Sequence, residues 1–97
     1  MEDNTRIPPH SVEAEQSVLG SILLDKDAMI SVSETLMPED FYKEAHRVIY
    51  ECMLKLYNNQ SEIDLITLAD ELRDQGYLDD IGGIAYITSL STIVPTT

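Results

Sequence analysis

The sequence predicts an all-α protein, a small compact bundle of about five or six helices. Three observations carry that prediction: apolar residues recur at helical spacing in nearly every segment, helix start and stop signals fall between those segments, and no hairpin dipeptide separates alternating apolar runs. At 97 residues with 43% hydrophobic content, the chain can bury one modest core and is too short for two domains. The whole span 1–97 therefore reads as a single domain whose short connections leave no room for a second layer.

The first helix is announced by a rigid Pro8-Pro9 pair and by Ser11, a good N-cap. Glu13 and Glu15 follow where the helix dipole favours anions. Val18, Leu19, Ile22 and Leu23 make its apolar stripe, and Gly20 leaves space beside it for another backbone. Asp25-Lys26-Asp27 supplies a break and a new cap. Ala28, Met29, Val32 and Leu36 then mark a second short helix that Pro38 ends.

A third, longer helix is read from Phe41, Ala45, Val48, Ile49, Cys52, Met53 and Leu56, with Asn58-Asn59 as its stop. Glu39, Lys43, Arg47, Glu51 and Lys55 recur every four residues, which reads as a solvated stripe of alternating ion pairs on its outer face. Asp64 is the predicted N-cap of a fourth helix, with Leu65, Leu68, Ala69 and Leu72 facing inward and Gly76 just past its end. Gly82-Gly83 opens the last helix, whose inner residues are expected to be Tyr86, Ile87, Leu90 and Val94 and which Pro95 stops.

Charge and residue inventory narrow the function. Eighteen acidic residues stand against 6 Lys plus Arg, a formal net charge of −12, so a phosphate backbone would be repelled; this argues against direct nucleic-acid binding. No glycine precedes a lysine, so the glycine-rich turn of a phosphate-binding loop has no counterpart. His10 and His46 are far apart, and Cys52, six positions after His46, points to a different angle of the helix than a chelate needs, so no metal site is expected. His10 reads as a polar residue beside a helix start and His46 as a partly exposed one. The acidic pairs Glu39-Asp40 and Asp79-Asp80 read as solvated turns. Ser61, Ser89 and Ser91 have no histidine at an activating spacing, so no catalytic residue is assigned. One cysteine excludes an internal disulfide, and no apolar run is long enough to span a bilayer; the expected location is cytoplasmic.

One stretch is more specific than these patterns. RIPPHSVEAEQSVLGSILLD, from Arg6 to Asp25, resembles the opening of the N-terminal domain of the hexameric bacterial replicative DNA helicases, the DnaB family, with only His10 a minor departure. LMPEDFY (36–42) followed by His46-Arg47, then IDLITLADEL (63–72) and IGGIAYITSL (81–90), resemble the family's later blocks in the same order. The resemblance implies the globular head of the helicase collar, without the helical hairpin and RecA-like ATPase domain that follow in the family. It implies a non-catalytic protein-interaction and oligomerisation domain, with the other helicase subunits and the primase C-terminal domain as partners. ATP and Mg would belong to the parent helicase, and no cofactor to this piece. Glu13 and Tyr86 are the candidate partner-binding residues, one in the first turn of the first helix and the other the only aromatic of the last.

Two other small helical bundles compete. The helicase-interacting C-terminal domain of bacterial primase has a similar fold, but the opening PPHSVEAEQ speaks against it. An acyl carrier protein shares the size and acidity, yet needs an Asp-Ser attachment site that this chain lacks.

Overall fold

The computed structural model describes residues 11–92. Within them the chain forms five α-helices: α1 (Val12–Leu24), α2 (Lys26–Thr35), α3 (Glu44–Asn58), α4 (Leu65–Asp74) and α5 (Gly83–Leu90), with a single 3-10 turn at Pro38–Asp40. Pro8, Pro9, His10, Val94 and Pro95, all used in the sequence reading, lie outside the described residues. The main packings close a cycle in which α1 meets α3, α3 meets α4, α4 meets α5, and α5 returns to α1, while α2 lies against α1.

The helix ends follow from local chemistry. The Ser11 hydroxyl accepts from Ala14 N at 3.1 Å, and the Asp25 carboxylate from Asp27 N at 3.0 Å, so both predicted caps are made. Asp64 and Thr67 form a reciprocal box: Thr67 N donates to the Asp64 carboxylate at 2.8 Å, and Asp64 N to the Thr67 hydroxyl at 2.9 Å. Past α4, Gly76 adopts φ +80°, which lets Tyr77 N reach Leu72 O at 2.9 Å and Gly76 N reach Arg73 O at 3.0 Å. The same pair of closing bonds ends α3, Ser61 N to Leu56 O and Gln60 N to Tyr57 O, with Gln60 at φ +62° in the role glycine usually takes.

The core collects Leu19 and Ile22 from α1, Met29 from α2, Ile49, Tyr50, Cys52, Met53 and Leu56 from α3, Leu68, Ala69 and Leu72 from α4, and Ile87 and Leu90 from α5. Phe41, Ile63 and Ile81 plug it from the connections. Val18, Leu23 and Val48 pack at its edge.

Four expectations need correction. α3 begins at Glu44, so Phe41 belongs to the extended segment after the 3-10 turn, although it is buried as its spacing suggests. α2 ends at Thr35 ahead of Pro38 as expected, but Leu36, placed on its stripe, is the extended C-cap residue at φ −115°, ψ 141°. α5 ends at Leu90, short of the proline assigned to stop it. The charged stripe pairs differently from its four-residue spacing: Arg47 binds Glu44 at 3.1 Å, and Lys55 reaches across to Glu71 of α4 at 3.0 Å.

Candidate functional site

Where α1, α3 and α5 meet, four polar side chains form a continuous network inside the bundle. α3 has no side-chain cap of its own, since Lys43 precedes it. Its entry is instead held from a distant part of the chain: Glu15 accepts from Tyr42 N at 2.6 Å and from Lys43 N at 3.4 Å. The same carboxylate meets His46 Nδ1 at 2.7 Å. On the other side of the ring, His46 Nε2 lies 2.6 Å from the Tyr86 hydroxyl, which also accepts from Gln16 Nε2 at 3.2 Å. The His46 and Tyr86 rings stack at 6.0 Å with 17° between their planes.

The electrostatics follow from this geometry. Burial pushes the Glu15 carboxyl upward, but the donors from Tyr42 N, His46 and Lys43 N outweigh it and hold the group below the usual carboxylate range. His46 itself is 0% exposed, not partly exposed as its sequence position suggests. The reason is register: His46 stands three, four and seven residues before Ile49, Tyr50 and Met53, on the innermost stripe of α3. The apolar stripe read for the third helix, from Phe41 to Leu56, leaves out both His46 and Tyr50. Tyr50 is fully buried, and its hydroxyl donates to Leu36 O at 2.9 Å, closing the end of α2. The i, i+3, i+4, i+7 spacing from His46 is the signal that marks both residues as inward-facing.

The two residues singled out in the sequence behave differently. Glu13 is exposed on the first turn of α1, beside Val12. Tyr86 is half-buried and tied into the network through Gln16, one helical turn after Glu13. A Cβ added at Gly82 would stand 2.8 Å from Tyr86 Cβ, so the glycine backbone itself seats the tyrosine. The beginnings of α1 and α5 expose Val12 (37%) and Ile84 (50%). Cys52 lies away from this network in the core, where burial, and then Glu71 and Glu51, push its thiol up to about 11, leaving it without nucleophilic character at neutral pH. Among the described residues no group of three or more His, Cys, Asp or Glu could hold a metal ion, and no helix is long and apolar enough to cross a membrane.

Fold and network together define a small acidic α-helical domain whose first, third and fifth helices are joined by buried polar contacts. The family model described as DnaB-like helicase N terminal domain matches residues 7–97. The chain is 46% identical over 91 residues to the replicative DNA helicase DnaB of Geobacillus stearothermophilus, covering 94% of this chain and 20% of that protein. It is 44% identical over 93 residues to the replicative DNA helicase DnaC of Bacillus subtilis, covering 96% and 20%. Among solved structures, the N-terminal domain of DnaB helicase from Mycobacterium tuberculosis superposes with a TM-score of 0.88 at 47% identity, covering 92% of this chain and 64% of that one. The chain belongs to the DnaB-like helicase N-terminal domain family, which sets aside the primase-domain and acyl-carrier alternatives. It spans about a fifth of the length of the curated relatives it matches.

Proposed function

We propose that this domain is the collar head of a hexameric replicative DNA helicase, a non-catalytic part that contributes to subunit association and receives the C-terminal domain of primase during DNA replication. The observation that carries the reading is the match of residues 7–97 to the helicase N-terminal domain, together with relatives of closely similar sequence that are replicative helicases. ATP and Mg act in the motor portion of such a protein, in the cytoplasm, and the −12 charge suits a protein-facing collar better than a surface that grips DNA.

The docking face in this proposal is formed by the starts of α1 and α5. Glu13 offers an exposed carboxylate there, Val12 and Ile84 offer exposed apolar surface, and Tyr86 stands half-buried beside them with its hydroxyl bonded inward to His46. Tyrosine serves well as an anchor because it combines a large apolar area with a polar tip. In the full-length protein, Glu13→Ala and Tyr86→Ala should each weaken primase binding measured by calorimetry, beyond any loss of thermal stability recorded for the same variants. Unchanged affinity in both, or affinity that falls only in step with stability, would reduce Glu13 to a helix-end charge and Tyr86 to packing.

A further inference from the structure

We propose that His46 is a positioning residue for the docking face, held as the neutral Nδ1–H tautomer so that its Nε2 lone pair fixes the Tyr86 hydroxyl. The proposal rests on the docking role assigned to Tyr86 above and adds the buried residue that orients it.

Hydrogen-bond direction can be assigned atom by atom. Glu15 takes two backbone N–H donors, from Tyr42 and Lys43, as an ionised carboxylate does, so its contact with His46 Nδ1 needs a proton on that nitrogen. With the ring neutral, as proposed, Nε2 is an acceptor and the Tyr86 hydroxyl 2.6 Å away donates to it. The tyrosine oxygen in turn accepts from the Gln16 amide. Donation thus runs one way, from Gln16 of α1 to Tyr86 of α5, to His46 of α3, and back to Glu15 of α1. Every buried donor and acceptor along it has a partner, the condition under which such a network specifies one arrangement.

The location gives this network leverage. α5 has only eight residues and no side-chain cap, too short to hold its shape without tertiary contacts. Tyr86 sits between Gly82, the N-cap of its own helix, where an added Cβ would meet it, and His46 on another helix. His46 is itself inaccessible to any partner, so its influence on docking must pass through Tyr86.

Long-range proton–nitrogen NMR on the isotopically labelled 97-residue chain at neutral pH tests the tautomer. A pyrrole-type Nδ1 and a pyridine-type Nε2 are expected for His46; the opposite tautomer, a doubly protonated ring with two pyrrole-type nitrogens, or a fast-exchanging mixture overturns the proposal. Two substitutions then separate the ring's two contacts. His46→Gln can place an amide oxygen near the Nε2 position and keep the Tyr86 contact, whereas His46→Asn can place an amide nitrogen near Nδ1 and keep only the Glu15 contact. With primase C-terminal domain as the probe and the full-length protein as host, His46→Gln should bind within about threefold of the unaltered protein, and His46→Asn about tenfold more weakly. Equal binding by the two, or the reverse order, overturns the positioning role.

Should either variant fail to fold, Tyr86→Phe keeps the ring and removes the hydroxyl, with its bonds to His46 and Gln16. It is expected to leave the His46 proton on Nδ1, where Glu15 holds it, and to weaken binding about tenfold; unchanged binding overturns the proposal. If Tyr86→Ala weakens binding while Tyr86→Phe and His46→Asn do not, the docking face stands and the positioning role falls. If Glu13→Ala and Tyr86→Ala leave binding untouched, the docking reading fails and takes the positioning role with it, whatever tautomer is found.

Discussion

The α3–α4 pair and the joint between α1, α3 and α5 are built on different principles. α4 opens on an Asp64–Thr67 box and closes on Gly76, signals that lie within a few residues of the helix they shape. Its contact with α3 is mainly apolar, Leu68, Ala69 and Leu72 lying in one core with Ile49, Cys52, Met53 and Leu56. Any suitably shaped apolar side chains could make such a contact. At the other joint the partners are 27 to 70 residues apart, and the contact is a directional chain of hydrogen bonds through Glu15, His46, Tyr86 and Gln16. Apolar burial supplies most of the adhesion, while the polar chain selects which helices meet and in what register. The two regions should therefore fail differently when cut.

The largest effect belongs to the apolar pair. Leu72→Ala, at a site with 0% exposure, should lower the unfolding free energy by about 2–5 kcal/mol in urea titration followed by circular dichroism. Leu56→Ala, at the 7% exposed rim, should fall toward the lower end of that range. A loss under about 0.5 kcal/mol at Leu72 would mean that the α3–α4 contact is not the adhesive one.

Next in size is the polar joint. His46→Leu fills the volume but leaves the partly buried Glu15 and Tyr86 groups without their shared partner, a cost of about 1–3 kcal/mol. Its signature should be local: hydrogen exchange in α5 should quicken more than in α4. Uniform quickening through the whole domain would contradict the division drawn here.

Loss of the local cap comes third, Asp64→Ala costing about 1 kcal/mol by thermal or urea unfolding and leaving the α1–α3–α5 joint undisturbed by NMR.

The smallest expected effect is a pH dependence. The folded-state pKa of Glu15 lies below its ordinary value, so its contribution is fully present above about pH 4.5 and is lost as pH falls through the folded value. In Glu15→Gln the acid limb of the stability profile should be shallower than in the unaltered chain. Superimposable acid limbs would show that the carboxylate is not held by Tyr42, Lys43 and His46 as described.

Much of the architecture is legible in the order of the residues. Ser11, Asp25 and Asp64 cap the helices they are expected to cap, and Gly76 takes the positive φ of a helix end, because these are local hydrogen-bonding and steric requirements written within a few residues. The apolar stripes through Leu19 and Ile22, Ile49 to Leu56, and Leu68 to Leu72 are buried as their period requires. The family resemblance, too, is carried by motifs in the chain alone. Tertiary structure decides what periodicity cannot encode. It turns His46 inward, binds Tyr50 to the end of α2, and brings Glu15 to the entry of α3 as a cap supplied from another helix. Polar groups satisfy their hydrogen bonds with whatever the fold brings near, and a partner many residues away leaves no trace in local spacing.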